Sequence, residues 1–63
     1  MTVSEASRRA RKLLIEHHRP YIVYRRNGHL AVISLKDYLD AGLAGKGAKR
    51  VYVATLDRHG KII

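Results

Sequence analysis

"YIVYRRNGHLAVISLKDYL", residues 21–39, sets two apolar runs on either side of Arg25-Arg26-Asn27-Gly28. Asn-Gly between β-branched and aromatic runs is a strong hairpin signal, because a type I′ turn needs positive φ at both central residues. Asn27 and Gly28 therefore form the tip. In that register Arg26 faces His29, Tyr24 faces Ala31 and Ile22 faces Ile33 on one side of the ribbon, while Arg25 pairs with Leu30 and Val23 with Val32 on the other. Both sides are apolar along most of their length. A hairpin with one wet face alternates apolar and polar residues, so two apolar faces require two packing partners. One is expected from the chain's own helices. The other is expected from a second copy, with Ile22, Tyr24, Ala31 and Ile33 at the dimer interface.

Upstream, "TVSEASRRARKLLIEHHR" at residues 2–19 reads as a helix. Ser4 or Thr2 can cap it, and Glu5 sits in the first turn, where the helix dipole favours a carboxylate. Ala6, Ala10, Leu13, Leu14 and His17 fall on one helical stripe. Arg8, Arg11, Lys12 and Arg19 occupy the opposite side, with Ile15 among them. Pro20 cannot continue the helix, so it ends near His18. Downstream, Ser34 caps a second helix with Asp37 at the capping-box position. Its apolar stripe is Leu35, Tyr38, Leu39 and Leu43, and Gly45 with Gly47 ends it. "GKGAKR" then reads as a basic loop, and "VYVATL", "DRHG" and "KII" as strand, turn and short strand. The expected fold is α+β: an N-terminal helix, a β-hairpin, a second helix and a short C-terminal β-hairpin, in a dimer mediated by the sheet. Residues 1–45 form the main domain in this reading, and 46–63 a basic, β-like extension.

Thirteen Lys and Arg stand against 5 Asp and Glu, a net charge of +8 in 63 residues. So large an excess destabilises a small domain by self-repulsion unless a polyanion is its usual neighbour. Nucleic acid is the partner expected from it. The chain has no cysteine, which excludes disulfides and thiolate metal sites and fits a reducing cytoplasm. No apolar run approaches the ~20 residues of a membrane span.

Catalysis has little to rest on. Four histidines are present, His17, His18, His29 and His59, but no serine sits in a nucleophile setting and no Gly-rich phosphate loop appears. His17 and His18, adjacent on a helix, point apart and cannot chelate one metal. No cofactor and no metal is expected. The basic residues form three groups: Arg8, Arg9, Arg11 and Lys12 on the first helix, Arg25 and Arg26 beside the turn, and Lys46, Lys49 and Arg50 in the basic loop. Taken singly, each is also what a solvated surface carries. Arginine's planar fork suits phosphates and guanine edges, because it donates two hydrogen bonds at once.

"TVSEASRRARKLL" followed by "YIVYRRNGHLAVISLKDYL" resembles the Phd/YefM antitoxin pattern over roughly the first 40 residues. The residues that carry the resemblance are Ser4, Glu5 and Ala6; Arg25, Arg26 and Gly28; Ala31 and Val32; and Ser34, Leu35, Asp37 and Tyr38. It implies a domain that dimerises through its sheet, binds operator DNA and represses its own operon, with a cognate toxin as a further partner. Members carry a fuller strand before the first helix, where this chain has only Thr2 and Val3. Their toxin-binding tails are acidic and apolar, whereas residues 46–63 here are basic. DNA binding therefore carries over better than toxin binding. The alternatives are a winged-helix phage excision or regulatory factor, with the hairpin as its wing, and a protein-binding inhibitor that acts on a toxin enzyme.

Overall fold

A computed structural model describes residues 1–62. Helix α1 (Val3–His17) is followed by strands β1 (Tyr21–Arg26) and β2 (His29–Ser34), helix α2 (Leu35–Asp40), a 3-10 turn (Leu43–Lys46) and strand β3 (Lys49–Ala54). The architecture is α+β.

Thr2 caps α1: its Oγ accepts from the Glu5 amide at 3.1 Å, and its hydroxyl donates to Glu5 Oε1 at 3.1 Å. At the other end His18 turns left-handed, with φ 53°, and its amide reaches the Leu14 carbonyl at 2.8 Å. The short link to β1 turns the chain back, so α1 lies along the sheet. Asn27 and Gly28 have φ of 53° and 78°, the type I′ geometry. The pairing that results, from Tyr21↔Ser34 to Arg26↔His29, is the one read from the sequence. Ser34 Oγ accepts from the Asp37 amide at 3.2 Å and starts α2, as its spacing predicts.

The sheet runs β2-β1-β3, so the hairpin strand β1 lies at its centre. Lys49–Ala54, assigned by sequence to an extension, pairs antiparallel with β1 and completes the same sheet. The physical reason is that β1 is apolar on both faces and holds buried Ile22 and Val23; covered on both faces, its second row of backbone groups is shielded from water and needs a partner strand. The expected C-terminal hairpin is reduced to one bridge, Leu56↔Ile62, around the turn at Asp57. Asp57 Oδ1 holds that turn by accepting from the amides of His59 and Lys61 at 2.8 and 2.9 Å. Ile63, the last residue of the expected strand, lies outside the described residues.

Each face of the sheet has its own cover. On one face Ala6, Ala10 and Leu14 of α1 pack on Val23 and Ala54, where alanines let the helix approach closely. On the other, Ile22 lies under Tyr38, Leu43 and Ala48. The Tyr38 hydroxyl donates to the Ala48 carbonyl at 3.0 Å and ties α2 to the segment entering β3. The expectation of a second copy on this face is thereby corrected at its centre. Ile22 is 0% exposed within a single chain, while Tyr24, Ala31 and Ile33 around it are half-buried. The second helix is also shorter than its stripe suggests. Gly42 turns left-handed at φ 62°, which sends Leu43 into the 3-10 turn and leaves Leu39 65% exposed.

Candidate nucleic-acid interface

The strand pairing gathers two of the three basic groups. β1 and β3 run in register from Tyr21↔Ala54 to Val23↔Tyr52, and an irregularity between Val23 and Tyr24 then shifts the pairing to Tyr24↔Arg50 and Arg25↔Lys49. This is a β-bulge in which Val51 is the extra residue. Residues directly opposite share a face, so Arg25 and Lys49 project together on the α1 side. Arg50 shares the other face with Tyr24, and Arg26, two residues on from Tyr24, joins them there opposite His29. Arg25, Arg26, Lys49 and Arg50 are all exposed.

The three strands contain no Asp or Glu. Like charges directly opposite destabilise an antiparallel pair, so Arg25 and Lys49 face one another with no carboxylate in the sheet to offset them. An anion bound between them removes the repulsion. That arrangement suits a phosphate.

The basic run of α1 is divided. Arg8, Arg9 and Lys12 line a shallow depression on the outer face together with Glu5, Glu16 and Leu13. Arg11 leaves that group, because its position carries it round to the edge of the sheet. There its guanidinium lies 5.8 Å from the ring centre of Tyr52 in β3, a distance at which a cation is attracted by an aromatic face. Grouping Arg11 with Arg8, Arg9 and Lys12 is corrected accordingly: Arg11 is half-buried and ties helix to sheet. His17, expected on the buried stripe, is exposed and tilts against Tyr21 at 5.9 Å. Ile15 is 59% exposed. Tyr52 carries weight in the geometry that the basic-residue pattern did not assign it, since only the pairing of β3 with β1 brings Tyr52 under α1.

No helix among the described residues is long and apolar enough to cross a membrane, and those residues hold no group of three or more His, Asp and Glu arranged for a metal ion. Comparison with family models, with curated proteins and with solved structures returned no match.

Proposed function

We propose that the chain is a cytoplasmic, homodimeric DNA-binding regulator of the Phd/YefM antitoxin type, a binding protein and not an enzyme, that represses its own operon. The observation that carries the reading is the Arg25–Lys49 opposition, flanked by Arg26 and Arg50, in a sheet without carboxylates. A cluster of this kind gains from phosphate what it lacks from its own chain. Arg8, Arg9 and Lys12 add cations on the α1 outer face.

Helix, hairpin and capped second helix follow in the order the resemblance implies. Among the described residues no strand precedes α1, where Thr2 is a cap and Val3 is already helical. The third strand comes from the other end of the chain. Of residues 46–63, Lys49–Ala54 is committed to the sheet as β3.

The test is fluorescence anisotropy with labelled duplex from the chain's own promoter, titrated at several salt concentrations. Affinity is expected to fall by about 0.9 log units per log unit of salt for each phosphate neutralised. Joint replacement of Arg25 and Lys49 by alanine should flatten that slope. A salt-insensitive affinity, or tighter binding to an acidic protein than to any duplex, refutes the reading.

A further inference from the structure

Past β3 the chain makes one more turn, and it is held without help from the core. Residues 55–62 belong to neither core layer, and Leu56 and Ile62, which form the one bridge there, are 42% and 38% exposed. Asp57 supplies the order that packing does not. Its Oδ1 accepts from the amides of His59 and Lys61, its own amide donates to the Lys61 carbonyl at 2.8 Å, and its carbonyl accepts from the Gly60 amide at 3.0 Å. Gly60 closes the turn at φ 80°, which a side chain would strain. The outcome is a fixed tip that carries Arg58 and Lys61, both exposed. We infer that this turn is a second phosphate contact for double-stranded DNA, separate from the Arg25–Lys49 end of the sheet.

The separation follows from the strand register. Ala54 pairs with Tyr21 and Lys49 with Arg25, so the chain leaves β3 at the end of the sheet remote from the Arg25–Lys49 pair. Arg19, exposed in the link from α1 to β1, stands at that same end. Lys49 and Arg58 are nine positions apart, which at about 3.3 Å each allows at most about 30 Å between them. That is within the longest dimension of the molecule, 34 Å. A major groove is about 12 Å wide and recurs every 34 to 36 Å or so along B-DNA. One copy is therefore long enough to reach the backbone on both sides of a groove, and too short to reach the next turn.

The charges of the turn are left for a partner. Asp57 is the one Asp or Glu after Asp40 in the sequence, and it directs a carboxylate oxygen at the amides of its own turn. Arg58 and Lys61 outnumber it. Phosphate contacts carry no base information but fix the register and orientation of a protein on the duplex. A rigid tip suits that role, because little freedom is lost when it meets the backbone. The inference rests on the DNA reading above and adds a second point of contact to it.

Anisotropy of the full chain on duplex DNA, read at several salt concentrations, tests the contact. Joint replacement Arg58→Ala and Lys61→Ala should lower the salt slope by up to about two units per copy, weaken every duplex alike and leave Tm unchanged. An unchanged slope overturns the inference; if Arg25→Ala with Lys49→Ala flattens the slope in the same series, the DNA reading stands without it. Salt-insensitive binding by the unaltered chain overturns both. Two substitutions of equal charge then separate the held turn from its electrostatics. Asp57→Asn keeps a side-chain oxygen that accepts the two amide bonds, whereas Asp57→Ala releases the turn. The Asn variant should bind duplex severalfold more tightly than the Ala variant, with both folded by circular dichroism. Equal affinities overturn a contact made by a fixed turn.

Discussion

Lys49→Glu should strengthen the fold and weaken DNA binding, two effects of opposite sign from one residue. Lys49 faces Arg25 directly across the β1–β3 ladder, with strand Cα atoms about 5.5 Å apart in such a pair. Two like charges about 7 Å apart in water repel by about 0.6 kcal/mol. At 0.1 M salt, with a screening length of about 10 Å, roughly half of that survives. Reversing one charge turns the repulsion into attraction, so the change is twice as large, about 0.6 kcal/mol at that salt and about 1.2 kcal/mol at low salt. For a domain of this size the first figure raises Tm by about 2 to 5 °C. In the DNA titration the same variant should bind about tenfold more weakly and lose about one unit of salt slope per copy. Thermal melts at two salt concentrations and anisotropy on the same preparation measure both. A lowered Tm at low salt shows that the two side chains do not meet, and unchanged DNA affinity shows that the sheet end is not the site.

Three further outcomes test other parts of the structure. Arg11→Ala should lower stability by about 0.5 to 1 kcal/mol through loss of its contact with Tyr52, with less effect on the salt slope than Arg8→Ala; the reverse ranking in anisotropy would return Arg11 to the DNA face. Tyr38→Phe strips the partner from the buried Ala48 carbonyl and should cost about 1 to 3 kcal/mol in urea denaturation, and a neutral effect would mean that α2 is not tied down there. Thr2→Ala removes the α1 cap and should cost about 0.5 to 2 kcal/mol, whereas Ser4→Ala should be close to silent; equal effects would shift the cap.

The local grammar of this chain was legible without a structure. Asn27-Gly28 determined the hairpin tip and, through the period of two, every partner along β1 and β2. Pro20 ended α1 within a residue of where it stops, and Ser34 started α2. These are short-range effects of φ preference, caps and alternation, and they need no distant contact. What the tertiary structure decided was how the pieces share surfaces. Two apolar hairpin faces did call for two partners, but the second proved to be α2 and the 3-10 turn, because Gly42 folds Leu43 back over Ile22. The basic groups showed the same divide. Their presence was plain in the sequence, yet the meeting of Arg25 with Lys49 and the departure of Arg11 to Tyr52 depended on the register of β3 against β1 and on the bulge within it. Pairing between segments that far apart in the chain is set by which edge remains unsatisfied once the local elements have formed, and composition carries no record of that.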